Sequence, residues 1–266
     1  MDYAEQLGIE ERLKRQIDAY HEAAILFTAV STRIPDLLNL GGRTPEMLAS
    51  ELDMQPGPLR RFLRGLVTMQ LCEELPDGRF VLTPAGRSLV TGSDSSLREK
   101  ALVVLGQYWQ PWLDLQYCLK TGEPSFPKVF GTPVAEWRAA NEEEGAAFQS
   151  YLAKDEAGEP DPSEADTQLL KGVLQQHDDA SARTILENCR KAMKPGATLA
   201  IYERLMPENA TDDPAAVMLD LHMMAIYGGR VRTKTEMMAL LAEAGLAVAE
   251  VSETDGGLAV IEAHTS

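Results

Sequence analysis

Residues 167–203 read TQLLKGVLQQHDDASARTILENCRKAMKPGATLAIYE, and this stretch decides the fold of the C-terminal half. Its apolar opening predicts a strand over 167–174, and the spacing of its next apolar residues predicts a helix over 180–193. A turn signal, Lys194-Pro195-Gly196, comes before a second apolar run at 197–203. Strand, helix and strand in this order predict a βα unit of an α/β sheet.

The alternation of helices and strands continues after this unit but is interrupted before it. Downstream we expect further helices and strands, namely helices 213–227 and 233–244 and strands 246–252 and 257–263. Together these elements make two βα units and a terminal hairpin, which is an α/β sheet of about four strands. Upstream, residues 154–166 are acidic, contain proline and lack apolar periodicity, so we interpret them as a linker.

The N-terminal part is predicted to be mainly helical. Apolar residues recur at helical spacing over 8–40, and Thr44-Pro45-Glu46 is typical of the start of a helix, which we extend to Leu52. A second helix is expected over 59–69. Two short strands, 71–75 and 80–82, are then joined by Pro76-Asp77-Gly78. Helix, turn, helix and hairpin form a winged-helix layout.

A winged helix can read DNA or serve as a protein–protein scaffold. Arg60, Arg61 and Arg64 lie on the second helix, but they form a modest basic patch in a chain of net charge −16. That charge repels phosphate backbones and anionic membranes, so we expect neither nucleic acid nor membrane as a partner. The scaffold interpretation is favoured.

Residues 97–153 are predicted to form two or three helices with an aromatic cluster of Tyr108, Trp109, Trp112 and Tyr117. Such residues either pack in a core and a dimer seam or line an apolar ligand pocket. The predicted domain organisation is therefore a winged-helix-like domain over 1–96, a helical connector with pocket helices over 97–153, the linker over 154–166 and an α/β domain over 167–266.

Composition fits a protein of the cytoplasm. No apolar run approaches the roughly 20 residues of a membrane span, and no secretory leader opens the chain. The three cysteines, Cys72, Cys118 and Cys189, have no paired spacing, which suits a reducing compartment. No two histidines are close and no Asp/Glu–His cluster has ligand spacing, so no metal site is predicted.

The glycines are informative because one arrangement of them is missing. The motif G-x-G occurs nowhere in the 266 residues. The glycine pairs that exist, at 41–42, 228–229 and 256–257, do not lie between a strand and a helix in the pattern that holds a nucleotide.

Several blocks of the chain nevertheless carry a family resemblance, in order and at close to the family's spacing. The chain resembles the S-adenosylmethionine-dependent small-molecule O-methyltransferases of plant and bacterial secondary metabolism. The blocks are Leu170–Asp179, Ile185–Gly196, Leu199–Glu203, Met218–Leu221, Gly228–Thr233 and Leu240–Leu246, with a further similarity over Tyr117–Gly131. The resemblance covers nearly the whole chain, and it implies a winged-helix dimerisation domain followed by a Rossmann-like domain.

The resemblance also shows what is lacking. In the family, the first strand and its glycine loop hold the methionine part of the cofactor, and an acid after the second strand holds the ribose. Neither has a counterpart here, and the three βα units that would precede residue 167 need very roughly 80 residues. We therefore expect a truncated member without a cofactor-binding half, and no cofactor.

The residues that the resemblance assigns to methyl transfer have changed as well. Gln175 stands where many members place the histidine base, and an amide accepts no proton near neutral pH. Val231 stands at a position that is often glutamate, so Glu203 alone remains of the family's polar trio. His177 and His222 are the other candidate acid or base groups, although a lone histidine is more often a surface or capping residue.

The expected ligand is a small aromatic or polyketide-like molecule. Its binding residues are predicted from the aromatic cluster, from the helix 213–227, which the resemblance places against the substrate, and from the block Gly228–Thr233. They are Trp109, Trp112, Met218, Met223, Tyr227 and Arg232. One apolar cavity is expected, bordered by Trp109, Trp112, Gln175, Glu203, Met218, His222 and Tyr227.

Two expectations concern assembly. The apolar helices near 8–40 and 97–120 predict a homodimer, with a heterodimer with a methyltransferase homologue as an alternative. The strand at 167–174 would lie at a sheet edge that the linker, the N-terminal helices or a second subunit must cover. We favour the N-terminal helices and the linker.

Three functions remain open at this point. The first is a cofactor-independent enzyme of natural-product biosynthesis that performs a cyclisation, rearrangement or elimination in the old substrate pocket. The second is a non-catalytic partner or ligand carrier for a full-length homologue. The third is an O-methyltransferase inactivated by deletion.

Overall fold

The computed structural model describes residues 3–93, 97–155, 167–254 and 256–265. The α-helices are α1 Tyr3–Asp18, α2 Tyr20–Ser31, α3 Ile34–Asn39, α4 Pro45–Leu52, α5 Pro56–Thr68, α6 Arg98–Ala101, α7 Trp109–Leu113, α8 Leu115–Thr121, α9 Ser125–Phe130, α10 Val134–Ala140, α11 Glu142–Asp155, α12 Asp179–Ala192, α13 Pro214–Ile226 and α14 Lys234–Glu243. The strands are β1 Cys72–Glu74, β2 Phe80–Leu82, β3 Thr167–Lys171, β4 Thr198–Glu203, β5 Leu246–Glu253 and β6 Ala259–Thr265. Short 3-10 turns lie at Gly86–Leu89 and Leu174–Gln176, and a π-helix lies at Leu102–Gln107.

The chain divides into two compact units, which we describe separately. The first holds the chain up to Trp109 together with α11, and the second holds α8 to α10 and everything from β3 onward. The domain boundaries predicted at 96, 153 and 166 stay predictions. The predicted linker lies outside the described residues, apart from its first two positions, with which α11 ends.

The first unit contains the predicted winged helix. Thr44 caps α4, because its hydroxyl oxygen accepts a hydrogen bond from the Met47 N–H at 3.3 Å, and Pro45 occupies the first turn. Strands β1 and β2 pair antiparallel, with Cys72 opposite Leu82. Helices and hairpin bury one apolar core: Ala29, Ile34, Leu38, Leu48, Ala49, Leu59, Leu63, Leu66, Cys72, Phe80 and Leu82. The prediction of a helical N-terminal part is confirmed.

Two of the three arginines of α5 are paired with the hairpin of the same unit. Arg60 Nη1 lies 3.2 Å from Glu74 Oε1, and Arg64 donates from Nε and Nη2 to Glu74 at 2.8 and 3.1 Å. One carboxylate therefore offsets much of the local positive charge. This pairing supports the scaffold interpretation of the winged helix rather than recognition of phosphates.

The second unit is built on a mixed sheet of four strands in the order β3-β4-β6-β5. Strands β3 and β4 pair parallel, with Thr167 opposite Thr198, whereas β6 pairs antiparallel with both β4 and β5. Helices α12 and α14 pack on it over a core that includes Leu186, Leu199, Ile201, Leu241 and Ile261. The predicted α/β fold of about four strands is confirmed.

One boundary prediction in this unit was wrong. Strand β3 ends at Lys171 rather than at residue 174, because Gly172 has φ of +62° and turns the chain into the 3-10 turn at Leu174–Gln176. Within the described residues β3 pairs with β4 alone, so it is an edge strand, and Leu169 on it is exposed. The expected cover by the linker or N-terminal helices stays a prediction.

The prediction of two or three helices over 97–153 was also wrong. Six α-helices, α6 to α11, and the π-helix occupy this segment. Gly122 and Gly131 divide it, because both have positive φ, and their N–H groups donate to the carbonyls of Cys118 and Pro127. Among the described residues, no helix has the length and apolarity to cross a bilayer.

Candidate functional site

Glu203 lies at the centre of the first group of site residues, at the carboxyl end of β4. Because β3 and β4 are parallel, the turn that follows β3 meets the end of β4 at the same edge of the sheet. The Leu174 N–H donates to Glu203 Oε1 at 2.8 Å, and the side chain is 1% exposed. The carboxylate thus closes the amino end of the turn Leu174–Gln176.

Burial dominates the protonation of Glu203. It raises the pKa of this carboxyl to about 7, against the hydrogen bonds from the backbone N–H groups of Leu174, Gln175 and Val173 and the charge of Arg232, all of which lower the pKa. Its second oxygen, Oε2, is buried and has no hydrogen-bond partner among the described residues, and the same holds for Gln175 Oε1. Two buried acceptors thus remain without a donor at one turn.

Arg232 holds this turn from the other side. Its buried guanidinium donates to the Leu174 carbonyl at 2.8 Å, to the His177 carbonyl at 2.9 Å and to Asp179 Oδ1 at 2.9 Å. These three bonds use all three guanidinium nitrogens, so Arg232 fixes the backbone that carries Gln175. Its predicted contact with substrate stays a prediction.

A glycine lets the chain before Arg232 approach the turn closely. A Cβ on Gly229 would lie 2.2 Å from the Gln175 carbonyl oxygen and 2.7 Å from the His177 backbone nitrogen. Only a residue without a side chain fits there. The segment between α13 and α14 therefore packs directly on the turn that Glu203 closes.

A second group of residues forms around His222, on α13. The Trp112 indole Nε1 donates to His222 Nδ1 at 3.1 Å, and the two rings stack with centroids 6.2 Å apart. Tyr227 meets the His222 ring edge-on, and Arg138 Nη1 lies 3.4 Å from the Tyr227 hydroxyl. The buried Ser125 hydroxyl, 2.8 Å from the Pro111 carbonyl oxygen and 3.1 Å from that of Ala225, ties the surrounding helices to α13.

His222 is a neutral hydrogen-bonding group in this setting. Burial, followed by the charge of Arg138, lowers the pKa of His222 to about 4. Because Nδ1 accepts from Trp112, the neutral ring carries its proton on Nε2. His222 thus holds no positive charge near neutral pH.

The predicted site residues are thus brought together in two groups of the second unit. Gln175, His177, Glu203 and Arg232 meet at the turn after β3, and Trp112, His222 and Tyr227 meet on α13. Met223 is buried in the same helix, while Met218 is 53% exposed. Trp109 belongs to the first unit, so the single cavity expected across these residues stays a prediction.

Three contributors were not predicted from the sequence. Asp179 and Ser125 were included only within blocks of the family resemblance and Arg138 only within the segment 97–153, although each contacts a site residue or its helix. Only Asp179 had a usable signal, since it stands beside the turn and opens α12. Arg138 and Ser125 act across long sequence distances that no local pattern records.

A separate cleft of about 380 Å³ lies in the second unit at the carboxyl ends of β4 and β5. Its lining is mixed in charge and polarity: Leu205, Met206, Pro207, Asp213, Lys234, Val251, Ser252, Glu253, Gly257 and Ala259. None of the predicted site residues lines it. Among the described residues, no cluster of three or more His, Cys, Asp or Glu side chains could hold a metal ion.

Comparison with known proteins agrees with this architecture. Residues 155–247 match the O-methyltransferase domain family, and residues 15–92 match the O-methyltransferase dimerisation domain family. The chain belongs to the small-molecule O-methyltransferase family. The matched dimerisation region precedes the matched methyltransferase region along the chain.

Relatives from antibiotic biosynthesis show how widely the similarity extends. O-demethylpuromycin-O-methyltransferase of Streptomyces alboniger is 27% identical over 332 aligned positions, which cover 96% of this chain and 88% of the relative. Since that alignment is longer than the 266 residues of this chain, many of its positions face gaps here. Aclacinomycin 10-hydroxylase RdmB of Streptomyces purpurascens is 39% identical over 106 residues, 40% of this chain and 28% of the relative.

A solved structure shares the fold. The O-methyltransferase NcsB1 from neocarzinostatin biosynthesis, in complex with S-adenosylmethionine and 2-hydroxy-5-methyl naphthoic acid, superposes with a TM-score of 0.75 at 20% identity. The superposition covers 92% of this chain and 96% of that one. At this identity the likeness establishes the fold.

Proposed function

We propose that this chain acts in natural-product biosynthesis on a small aromatic or polyketide-like ligand and that it does so without S-adenosylmethionine. The reaction class that fits is a cyclisation, rearrangement or elimination, because these reactions reorganise the ligand's own bonds and need no methyl donor. The names of the relatives, which include antibiotic methyltransferases and one hydroxylase, support the setting. The naphthoic acid bound by NcsB1 supports an aromatic ligand.

The cofactor does not fit the residues present. The sequence has no G-x-G, and in the described part of the chain the α/β sheet begins with β3. The turn after β3 could offer backbone N–H groups to a ligand, but Glu203 accepts from them instead. We therefore derive no step through S-adenosylmethionine.

The observation that carries the proposal is the buried carboxyl of Glu203. A carboxyl whose pKa is about 7 can give and take a proton near neutral pH, as general acid–base catalysis requires. Gln175, at the position that the family often gives to a histidine base, supplies an amide instead. His222, held neutral by burial and bonded to Trp112, places no positive charge in the second group of site residues.

Similarity to a protein named as a hydroxylase supports the proposal that this chain catalyses a reaction other than methyl transfer. The match to aclacinomycin 10-hydroxylase RdmB is the highest in identity of the relatives described here, although it covers only part of each chain. Hydroxylation itself is not part of the proposal, because it needs an oxidant.

The assembly that we propose is a homodimer of cytoplasmic location, with the matched dimerisation domain at its centre. Residues 15–92 include exposed apolar side chains on α2 and after α3, and α1 contributes two more, Leu13 and Ile17. Such a surface is expected to be buried against a second copy.

Calorimetric titration with S-adenosylmethionine tests the proposal. We expect no saturable heat at concentrations up to hundreds of micromolar, whereas O-demethylpuromycin-O-methyltransferase, run in parallel, should bind. A dissociation constant in the low micromolar range for this chain would contradict the proposal. Mass spectrometry of small molecules retained through purification then searches for the ligand, and a bound aromatic compound is the expected result.

A further inference from the structure

The two buried acceptors at the turn after β3 pose a physical problem. Glu203 Oε2 and Gln175 Oε1 are both shielded from solvent, and neither has a hydrogen-bond partner among the described residues. A buried acceptor without a donor destabilises the folded state, and an unpartnered buried carboxylate destabilises it more. A single proton on Glu203 would turn one of these acceptors into a donor.

The backbone brings the two residues to the same place. The Gln175 N–H, together with those of Val173 and Leu174, points at the Glu203 carboxylate, and the Leu174 N–H bonds to Oε1. Oε1 is therefore the oxygen that accepts from the backbone, and Oε2 is the oxygen that can carry a hydrogen. Gln175 belongs to this same turn, and its buried Oε1 is the other acceptor without a donor.

We propose that Glu203 Oε2 carries a proton which it shares with Gln175 Oε1, and that this acid is the proton donor of the site. Gln175 is then a positioning residue, and Glu203 is the group that contacts the ligand when the ligand takes the place of the Gln175 amide. This inference rests on the proposed function for its ligand, but the proton pair itself exists in the protein without ligand.

The surrounding charges are compatible with a proton at Glu203. Arg232 is the charged residue that acts on Glu203, and three of its donors are already engaged by Leu174, His177 and Asp179. Asp178 and Asp179 are exposed to water. Tyr202 precedes Glu203 on β4, so its side chain leaves the strand on the opposite face. Arg204 follows the end of β4 and pairs with Asp213 at 2.6 Å.

The step that such a pair supports is a proton-shift isomerisation of a ligand with an enolisable carbonyl. The O–H bond at Glu203 Oε2 breaks as a C–H or O–H bond forms on the ligand, which leaves Glu203 as a carboxylate. That carboxylate then takes a proton from a second position of the ligand, the ligand's electron pair moves between the two positions, and the acid is restored. The isomerisation consumes no oxidant, reductant or group donor.

Infrared difference spectroscopy on the ligand-free protein, with carbon-13-labelled glutamate, tests the pair. At pH 6 we expect a protonated-carboxyl C=O band that Glu203→Gln removes and that Gln175→Leu moves to higher wavenumber, because the acid loses its acceptor. Gln175→Met serves as a second variant should Gln175→Leu not fold, and Glu243→Gln, on the surface of α14, is the matched control that leaves the band unchanged. A wild-type spectrum without this band, or a band that neither Gln175 variant moves, would overturn the pair.

Deuterium incorporation into 2-tetralone, an aromatic ketone with enolisable C–H bonds, tests the donor role. The protein should accelerate incorporation from D₂O, and Glu203→Gln should reduce the acceleration by about 100-fold or more, the range of general acid–base contributions. Glu243→Gln should retain it. An infrared band with no acceleration by the wild type would overturn the donor role, whatever the titration with S-adenosylmethionine shows. If S-adenosylmethionine binds while the infrared and the deuterium results are both as expected, only the proposed loss of the cofactor is contradicted.

Discussion

The indole Nε1 of Trp112 donates a hydrogen bond to Nδ1 of His222 over 3.1 Å, across 110 residues of sequence. The bond joins α7 to α13 and fixes His222 in the tautomer that carries its proton on Nε2. The bond also engages the lone pair of His222 Nδ1, which would otherwise accept a proton. The contact therefore ties the packing of the helices to the protonation of the one histidine of α13.

His222 should make stability depend on pH on the acid side. Its pKa is 6.5 unfolded and about 4 in the folded protein, so the unfolded state binds more protons between these values. Stability is therefore lost as pH falls from about 6.5 to about 4, by roughly 3 kcal/mol. Urea denaturation of wild type and His222→Gln, compared at pH 4.5 and pH 7.5, measures this. An equal pH dependence in the two proteins would contradict the assignment.

Glu203 should act in the opposite direction over almost the same range. Its pKa rises from 4.5 to about 7 on folding, so the folded protein binds more protons in this window. Its contribution to stability is greatest below pH 4.5 and is lost as pH rises to about 7, again by roughly 3 kcal/mol. In wild type the two effects offset each other, and Glu203→Gln should expose the contribution of His222. The double variant should show neither effect, which provides the control.

Arg232 should be far more important to stability than its neighbour Arg230. Arg232→Lys leaves two buried carbonyls and Asp179 with a shorter, differently shaped donor, and we expect a loss of about 3 kcal/mol or more. Arg230 is 44% exposed and pairs with Glu236 on the surface, so Arg230→Lys should cost less than about 1 kcal/mol. Urea denaturation of both variants makes the comparison. Similar losses in the two would show that the carbonyl contacts do not stabilise the turn.

Much of the fold could be predicted because its signals are local. Thr44 and Pro45 predict the start of α4, and the order strand, helix, strand over 167–203 predicts the α/β unit that β3, α12 and β4 form. Strand β3 was predicted too long because Gly172, an unremarkable residue in an apolar run, adopts a positive φ that only the folded turn requires. The number of helices over 97–153 was underestimated for the same reason, since Gly122 and Gly131 act as helix ends.

The site was predictable by residue type but not by arrangement. Glu203, Gln175 and His222 were all named from the sequence, yet their division between the turn and α13 depends on tertiary contacts. The role of Arg232 as a clamp on the backbone of Leu174 and His177 has no sequence signal, because backbone carbonyls carry none. Burial, which sets the pKa of both Glu203 and His222, is likewise a property of the packed chain.

Gly229 should be intolerant of any side chain. The Cβ of Gly229→Ala would lie 2.2 Å from the Gln175 carbonyl oxygen, so either the turn or the α13–α14 segment must shift. We expect a loss of about 2 kcal/mol or more and faster hydrogen exchange at Leu174. Gly57→Ala is the matched control, because a Cβ there meets nothing within 4 Å in the first turn of α5. Unchanged exchange at Leu174 in Gly229→Ala would contradict the close approach.

The proposed homodimer should depend on the apolar surface of the N-terminal helices. Leu13 and Ile17, one turn apart on α1, are 49% and 71% exposed, and Tyr20 on α2 is 53% exposed. Burying these side chains against a second copy would recover the hydrophobic free energy that the single chain leaves in water. Light scattering at micromolar concentration should give a dimer mass for wild type and a monomer mass for Ile17→Glu. Leu119→Glu places the same charge on a side chain that is 76% exposed but lies outside residues 15–92, and it should remain a dimer. A wild-type monomer, or dissociation by Leu119→Glu alone, would show that the N-terminal surface is not the interface.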